Sequence, residues 1–254
     1  YDEMSQYRGN HISMIFQEPM TSLNPVLKIK VQMNEVLLKH SNMTEEEATK
    51  ESISMLKRVG IPEPEKRINE YPHQFSGGMR QRVMIAMALQ CNPSLLIADE
   101  PTTALDVTTQ AQTLDLLNEL QEKNGMSIIM ITHDLGVIAE LADDVNVMYL
   151  GKVVESGSLQ EVYKNPIHPY TKSLLSSIPS LATKHRERLP ILQGTIPHPV
   201  ARPSGCNFQP NCKGDNPECL DGEPLIVEES PGHNVLYCGP CYKEHKCAWY
   251  PRGI

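Results

Sequence analysis

Two adjacent carboxylates follow a short apolar run near the middle of the chain. Asp99 and Glu100 come directly after Leu95-Leu96-Ile97-Ala98, and a run of this length and composition predicts a buried strand. One carboxylate at such a strand end can hold the Mg²⁺ of a nucleoside triphosphate, and its neighbour can orient and deprotonate an attacking water. Taken alone, the pair is equally consistent with an ordinary acidic turn.

A serine and two glycines precede these carboxylates in the sequence. Ser76, Gly77 and Gly78 stand directly before a helical pattern that runs from Met79 to Gln90. The serine can cap that helix, and the glycines leave backbone N–H groups open to a phosphate at the helix N-terminus. As a bare tripeptide the segment is more often a loop, so its interpretation depends on its position before the carboxylates.

Three further polar residues occupy positions where chemistry is possible. Gln17 and His133 each follow an apolar run, and Asp106 precedes a helical pattern that ends at Lys123. His133 could contact a γ-phosphate, although a lone histidine at a strand end is more often a satisfied structural residue. Gln17 could be an ordinary loop amide, and Asp106 could equally be a helix N-cap.

The elements that must position these residues predict an α/β fold. The apolar runs that end at Gln17, Asp99 and His133 are separated by helical patterns, which is typical of a parallel sheet with crossover helices. Ligands of such sheets bind outside the carboxyl ends of the strands, so the three polar residues should converge there.

Two other segments have recognisable patterns. Residues of about 26–92 form a helical insert, with helices predicted over 30–40, 44–59 and 79–90, and the second of them opens on a Thr44 cap with Glu47 three residues later. Val145 to Ser156, with Gly151 in the middle, predicts an edge hairpin.

Proline and cysteine divide the chain near residue 165. Thirteen of the 20 prolines fall in the last 89 residues, and six of the seven cysteines fall in the last 49. We therefore predict a compact α/β domain over residues 1–165 and a small, loop-rich extension over residues 166–254.

The six late cysteines have spacings that indicate metal ligation. They are Cys206, Cys212, Cys219, Cys238, Cys241 and Cys247. No signal peptide precedes them in this sequence, so thiolate ligation is a better interpretation than a disulfide framework. Zinc is the simplest chemical candidate, but its short paired spacing occurs only once, at Cys238-x2-Cys241.

Charge and hydropathy exclude two classes of protein. The net charge is -8, with 14 basic and 23 acidic residues before position 166 and 9 basic and 8 acidic residues after it. Neither part is a basic patch, which argues against binding along DNA or RNA but leaves a single nucleotide possible. No apolar run approaches the roughly 20 residues that cross a bilayer, so a membrane role requires partners.

The order and spacing of these segments resemble those of ABC-transporter ATPases. The matching segments are Phe16-Gln17-Glu18-Pro19 (Q-loop), Ser76-Gly77-Gly78 (signature), Leu96-Ile97-Ala98-Asp99-Glu100-Pro101 (Walker B), Ala104-Leu105-Asp106 (D-loop) and Ile131-Thr132-His133-Asp134 (H-loop). They cover most of residues 10–160. The resemblance implies a P-loop NTPase-like parallel sheet that carries an inserted helical subdomain.

Further segments resemble the dipeptide and oligopeptide importer branch of that family. They are Met14 to Pro25, Tyr71-Pro72-His73-Gln74-Phe75, Met79 where the wider family usually has Gln, and Asn165 to Thr171 at the start of the extension. This resemblance implies an ATPase that energises the import of peptides. Nickel import remains an alternative, because nickel importers are close relatives within the branch.

The resemblance also implies a role for each site residue. Asp99 would hold Mg²⁺, Glu100 would polarise the attacking water, His133 would contact the γ-phosphate, and Gln17 would link Mg²⁺ and the γ-phosphate to the membrane subunits. Ser76, Gly77 and Gly78 would clasp ATP bound to a second ATPase subunit, with Asp106 at that interface. The implied partners are this second subunit, homo- or heteromeric, two transmembrane permease subunits and, indirectly, an extracytoplasmic substrate-binding protein, with no nucleic acid. The expected location is the cytoplasmic face of the membrane.

For the cysteines, the resemblance implies a 4Fe–4S cluster. Cys206, Cys212, Cys219 and Cys238 match the pattern of some peptide-importer ATPases, and Cys241 or Cys247 could replace Cys238 as the fourth ligand. Zinc remains the alternative metal.

One departure from the family pattern is large. The phosphate-binding motif Gly-x-x-x-x-Gly-Lys-Ser/Thr does not occur in the 254 residues, whose sole Gly-Lys pair, Gly151-Lys152, is followed by Val153. The family has this motif before the Q-loop, and 16 residues precede Gln17 here. We therefore expect an N-terminally truncated ATPase domain, and a chain that alone neither binds ATP tightly nor hydrolyses it.

Two alternative functions follow from these observations. A non-transport ABC ATPase of DNA maintenance would need a long coiled coil between Gln17 and Ser76, which are separated by 58 residues, and a translation factor would need two ATPase cores and a basic surface. A metal-binding, regulatory remnant would explain the missing phosphate loop. It would not explain why Gln17, Asp99, Glu100, Asp106 and His133 are all present.

Overall fold

The computed structural model describes residues 2–17, 22–102, 105–178, 194–198, 200–212 and 224–237. The chain forms two compact units, Tyr1–Leu141 and Ala142–Ile254. No helix in the described ranges is both long and apolar enough to cross a membrane.

The first unit contains a three-stranded parallel sheet and its helices. Its elements are α1 (Asp2–Tyr7), β1 (Ile12–Ile15), α2 (Ile29–His40), α3 (Glu45–Arg58), α4 (Pro64–Arg67), α5 (Gly77–Leu89), β2 (Leu95–Asp99), α6 (Val107–Asn124), β3 (Ser127–Ile131) and α7 (Leu135–Leu141), with a 3-10 turn at Pro72–Gln74. The strand order is β1-β2-β3. The predicted α/β fold with a parallel sheet is confirmed.

The two faces of this sheet have different environments. Ile15, Leu96 and Ala98 are fully buried in the core, where β1 lies against α5. Alternate residues along a strand point to opposite faces, and on the opposite face Met14 and Ile129 are exposed and flank Ile97 in register. The sheet therefore has one buried face and one exposed apolar face.

The helical insert forms because its helices have clear start signals and apolar faces. Thr44 accepts a hydrogen bond from the backbone of Glu47, whose side chain accepts one from the backbone of Thr44, so the predicted capping box is present. Three acidic residues in the first turn of α3 and two basic residues in its last turn favour the helix dipole. The insert packs around fully buried Met33, Leu56 and Ile85.

The second unit contains an antiparallel sheet. Its elements are β4 (Asp144–Tyr149), β5 (Lys152–Ser158), α8 (Leu159–Lys164), α9 (Pro169–Ser176), β6 (Leu225–Ser230) and β7 (His233–Tyr237), with a 3-10 turn at Gln209–Asn211. The strand order is β4-β5-β7-β6. The hairpin between β4 and β5 turns at Leu150 and Gly151, which both have positive φ, as a tight hairpin requires.

The predicted hairpin is therefore present, but of its two strands β4 lies at an edge of the sheet and β5 does not. Glu155 and Ser156 of β5 pair with Val235 and Asn234 of β7, so β5 lies inside the sheet. The boundary between the two units lies between residues 141 and 142. The boundary at residue 165 concerns the family's domains and stays a prediction.

A buried carboxylate joins three segments of the second unit. Glu155 accepts hydrogen bonds from the backbone N–H groups of Ile167 (2.8 Å to Oε1) and His168 (2.9 Å to Oε2). Nε2 of His233 lies 2.9 Å from the same Oε1, and its Nδ1 lies 3.4 Å from Oε2 of Glu161. Glu155 and His233 are each 1% exposed, so the pair links β5 to β7 and to the start of α9 inside the unit.

Candidate functional site

Three of the predicted site residues meet at the carboxyl ends of the parallel strands. Nε2 of Gln17 donates a hydrogen bond to Oε2 of Glu100 over 3.0 Å, and Nδ1 of His133 lies 3.1 Å from Oε1 of the same carboxylate. The side chain of Glu100 is 22% exposed, whereas that of His133 is 72% exposed. A half-buried carboxylate is thus held between two polar groups that follow different strands.

The backbone at Glu100 has an unusual conformation. Its φ is +45°, in the left-handed region that costs a residue with a Cβ roughly 1–2 kcal/mol. Its N–H donates to the carbonyl of Ile131 over 2.8 Å, which extends the pairing of β2 with β3 by one residue. Strain of this kind persists where surrounding contacts fix it and is common at active sites.

Asp99 lies at the same edge of the sheet. It is the last residue of β2 and pairs with Ile131 of β3. The adjacent carboxylates therefore stand where the sequence predicts them, at the end of the central strand of the β1-β2-β3 sheet. Together with the amide oxygen of Gln17 they offer the hard oxygen ligands that Mg²⁺ prefers.

The remaining predicted residues form a second group, at two adjacent helix N-termini. The hydroxyl of Ser76 accepts from the backbone N–H of Met79 and caps α5. A Cβ at Gly78 would lie 3.0 Å from Cγ2 of Thr109 in α6, so the glycine permits this close approach. Among the described residues no atom would lie within 4 Å of a Cβ at Gly77, so they leave this side of the α5 N-terminus open.

Asp106 caps α6 within this second group. Its Oδ1 accepts from the backbone N–H of Thr109 over 3.0 Å, and its Oδ2 accepts from the Thr109 hydroxyl over 2.7 Å. These side-chain and backbone hydrogen bonds lower the pKa of Asp106. The capping alternative for Asp106 is therefore confirmed as its structural role, and the role at an interface stays a prediction.

Sequence reasoning gave no role to Asp134, which the structure places beside His133. Its Oδ1 accepts from the N–H of Gly136 over 2.8 Å, and its Oδ2 accepts from the amide of Gln110 over 3.1 Å. Burial raises the pKa of Asp134, but the hydrogen bonds from Gln110 and from the backbone of α7, with the nearby His133, lower it overall. An Asp directly before a short helical segment was the available signal.

Two of the six late cysteines, Cys206 and Cys212, lie at the two ends of a pair of successive turns in the second unit. The N–H of Gln209 donates to the carbonyl of Cys206, and the N–H of Cys212 donates to the carbonyl of Gln209, each over 3.0 Å. Both cysteines pack against a cluster that includes Tyr149 and Phe208. The predicted ligands Cys219, Cys238, Cys241 and Cys247 lie outside the described residues.

Aromatic side chains support these turns. The hydroxyl of Tyr149 donates to Oδ1 of Asn211 over 2.7 Å, and its ring lies 4.7 Å from that of Tyr170 between centroids. Burial raises the pKa of Tyr149, with smaller contributions from Tyr170 and Cys206. The described residues contain no group of three or more His, Cys, Asp or Glu that could hold a metal ion.

Comparison with known proteins decides the family. The model of the family described as "ABC transporter" matches residues 2–103, and that described as "Oligopeptide/dipeptide transporter, C-terminal region" matches residues 154–219. In Bacillus subtilis, the oligopeptide transport ATP-binding protein AppD is 50% identical over 92% of this chain and 71% of its own length. The chain belongs to the ATP-binding proteins of peptide ABC transporters. The dipeptide transport ATP-binding protein DppD of the same organism is 52% identical over 92% of this chain and 69% of its own length.

These relatives are longer than the chain. The oligopeptide transport ATP-binding protein OppD of Bacillus subtilis is 56% identical over 92% of this chain, but the match covers 65% of OppD. The chain thus spans about two thirds of the length of the curated relatives it matches.

Solved structures agree with this family. The dimeric ATP-binding cassette MJ0796 in a post-hydrolysis state with ADP and Pi has a TM-score of 0.56 and 32% identity, over 62% of this chain and 67% of that chain. A second dimeric structure of MJ0796 has a TM-score of 0.55 and 34% identity over the same shares. The resemblance stated from the sequence is confirmed for both the fold and the peptide-importer branch.

Proposed function

We propose that this chain is the ATP-binding and ATP-hydrolysing part of a subunit that energises the import of dipeptides or oligopeptides. The observation that carries the proposal is the carboxylate of Glu100, held by Gln17 over 3.0 Å and by His133 over 3.1 Å at the ends of parallel strands. The relatives named for oligopeptide and dipeptide transport support the substrate class.

The chemistry assigned to these residues follows from their types and places. Hydrolysis of ATP needs a water oriented in line with the γ-phosphoryl group, and bound Mg²⁺ supplies charge neutralisation there. Asp99, at the end of β2, would hold the ion. Glu100 would orient the water and accept its proton, and His133, whose ring is largely exposed, would contact a γ-phosphate oxygen.

The second group of residues is assigned to an interface with another ATPase subunit. The open side of Gly77 and the cap at Ser76 leave the N-terminus of α5 able to approach a phosphate on a facing subunit. At this surface the side chain of Thr109 lies between Asp106, to which its hydroxyl donates, and Gly78. We therefore propose a head-to-tail dimer that contacts two permease subunits at the cytoplasmic face of the membrane, with Gln17 as the link to those subunits.

The role of Glu100 is tested by Glu100→Gln in a transporter assembled from the complete subunit, which includes the phosphate-binding loop expected before Gln17. The amide keeps the shape of the side chain but cannot accept the proton, so we expect ATP turnover to fall by about 10²–10⁴-fold. Dimerisation that depends on ATP should persist, because the amide removes no phosphate contact. Glu122→Gln, on an exposed position of α6, is the matched control. An unchanged ATPase rate in Glu100→Gln would remove Glu100 from the role of base.

The substrate class is tested by transport in proteoliposomes. The subunit is reconstituted with its permease subunits and substrate-binding protein, and labelled dipeptides, longer peptides and Ni²⁺ are offered in separate assays. We expect peptide uptake that requires ATP and that Glu100→Gln abolishes. Uptake of Ni²⁺ without uptake of either peptide class would assign the chain to nickel import instead.

We also propose that Cys206 and Cys212 are ligands of a 4Fe–4S cluster, with Cys219 and Cys238, or with Cys241 or Cys247 in place of Cys238. The support from the described residues is that the first two cysteines, joined by two successive turns, both pack against the same aromatic cluster. The small apolar content of the extension suggests a structural role for the cluster. Zinc is the competing metal.

Absorbance of anaerobically purified protein tests the cluster. We expect a broad band at about 400 nm, which Cys206→Ser and Cys212→Ser should abolish or weaken. Cys91→Ser is the matched control, because Cys91 lies in the first unit. A colourless protein that contains stoichiometric zinc would overturn the iron–sulfur assignment.

A further inference from the structure

A buried glutamine in α5 contacts the residue that follows Glu100. Gln81 is 2% exposed, and its Nε2 donates a hydrogen bond to the carbonyl oxygen of Pro101 over 2.6 Å. The two residues are 20 positions apart, and they belong to α5 and to the turn after β2. This contact therefore connects the helix that begins at the Ser-Gly-Gly segment with the turn that carries the candidate base.

The turn at Glu100 needs such a contact because its backbone is strained. With φ at +45°, the residue stays in place only where neighbouring contacts fix it. The described contacts fix it from two sides. The N–H of Glu100 is held by the carbonyl of Ile131 over 2.8 Å, and the carbonyl of Pro101 is held by Gln81.

The helix that carries Gln81 is itself anchored at the next residue. Arg82 donates one hydrogen bond to the carbonyl of Val59, at the end of α3, over 2.9 Å, and another to Oε1 of Gln112 in α6 over 2.7 Å. These bonds link α5 to both neighbouring helices. The helix that donates the Gln81 bond is therefore fixed against both of its neighbours.

We propose that Gln81 is a positioning residue for Glu100. It fixes the peptide after Glu100, so that the carboxylate stays aimed at the site between Gln17 and His133, and it makes the position of the carboxylate depend on that of α5. The proposal rests on the proposed function, because it assigns Gln81 to the same hydrolytic site. It predicts that Gln81 affects the rate of the chemical step rather than the binding of ATP.

The same helix offers a matched control. Gln90, the residue after the last turn of α5, is 3% exposed, and its Nε2 donates to the hydroxyl of Ser52 over 2.8 Å. Gln81→Met and Gln90→Met each remove one buried amide and its hydrogen bond from a similar environment. They differ in the group that loses its hydrogen bond. Gln81→Met releases the carbonyl of Pro101, in the turn after Glu100, and Gln90→Met releases the hydroxyl of Ser52, in α3.

The first measurement is steady-state ATP hydrolysis by the assembled transporter. A displacement of about 1 Å at a catalytic group lowers rates by about 10²-fold, so we expect kcat of Gln81→Met to fall by about 10–100-fold with KM for ATP unchanged. Gln90→Met should keep the wild-type kcat. Gln81→Leu also lacks an amide and is apolar and similar in size to methionine, so it should show the same loss of kcat and serves if the methionine variant does not fold.

The second measurement needs no ATP. Hydrogen exchange of the Glu100 amide is compared in the 254-residue wild type and both methionine variants. We expect faster exchange in Gln81→Met and wild-type exchange in Gln90→Met, because only the first releases the turn.

Each outcome decides between the proposals. Equal kcat and equal Glu100 exchange in Gln81→Met and wild type would overturn the positioning role, as would equal losses in both methionine variants or a rise in KM with unchanged kcat. A wild-type assembled transporter that hydrolyses no ATP would contradict the proposed function, and the exchange comparison would then still decide whether Gln81 fixes the turn.

Discussion

Replacement of Glu155 by glutamine should open the second unit at β7. The carboxylate accepts two backbone N–H bonds at 2.8 and 2.9 Å and faces Nε2 of His233 at 2.9 Å. In Glu155→Gln one oxygen becomes an NH2 group, so at least one buried donor faces another donor. An unpaired buried donor costs about 1–3 kcal/mol.

Both the new NH2 group and the backbone N–H that faces it lose a partner, so we expect a loss at the upper end of this range, about 3 kcal/mol, in the free energy of local opening. A difference of 1.4 kcal/mol changes an equilibrium constant tenfold, so the amides of β7 should exchange with solvent about 10²-fold faster than in wild type. Hydrogen exchange followed by mass spectrometry on peptides that cover residues 233–237 measures this directly, because exchange reports the free energy of local opening.

Glu161→Gln provides the control for this prediction. The side chain of Glu161 is 38% exposed and lies 3.4 Å from Nδ1 of His233, and an exposed ion pair contributes about 0–1 kcal/mol. Its β7 exchange should change by less than about tenfold. If the two variants exchange at the same rate, or if Glu155→Gln exchanges like wild type, the buried carboxylate does not hold β7 in place and the reasoning fails.

Three further substitutions test other contacts. Tyr149→Phe keeps the ring contacts but removes the 2.7 Å hydrogen bond to Asn211, so urea denaturation of the second unit should show a loss of about 1–2 kcal/mol; an unchanged midpoint would contradict the contact. Ser76→Ala removes the cap of α5 and should cost about 1 kcal/mol in the same assay on the first unit, whereas Ser76→Asp should retain most of it. Because the pKa of Asp134 is lowered in the folded state, its ionised carboxylate stabilises the fold at pH values above the ordinary pKa of aspartate. This stabilisation is lost as the pH falls through the lowered pKa. Wild type should therefore lose more stability below about pH 4 than Asp134→Asn does, and parallel pH profiles would refute this.

The site was predictable because strand ends are visible in the sequence. The apolar runs before Gln17, Glu100 and His133 mark three strands, and parallel strands bring their carboxyl ends to one edge of the sheet. The capping box at Thr44 was predictable for a similar reason, because both of its partners lie within four residues. In each case a local pattern determines the geometry.

Contacts between distant segments left no such pattern. His233 lies 78 residues from Glu155, in the part of the chain predicted as a loop-rich extension, and no local pattern indicates that β7 forms beside β5. For the same reason the sequence predicts the hairpin of β4 and β5 at an edge of the sheet, whereas in the structure β7 pairs with β5. The bond from Gln81 to Pro101 and the left-handed φ of Glu100 also depend on packing that periodicity does not describe.

The exposed apolar face of the parallel sheet affects how self-association of this chain is measured. Met14, Ile129 and Ile131 are exposed on β1 and β3, and parallel sheets are ordinarily covered on both faces. Chains that meet through this face would associate without nucleotide and more strongly in sulfate, which strengthens apolar burial. Association through the open N-terminus of α5 would instead require ATP and the phosphate-binding loop of the complete subunit. A sedimentation experiment therefore separates the two kinds of dimer only when ATP and salt are varied independently.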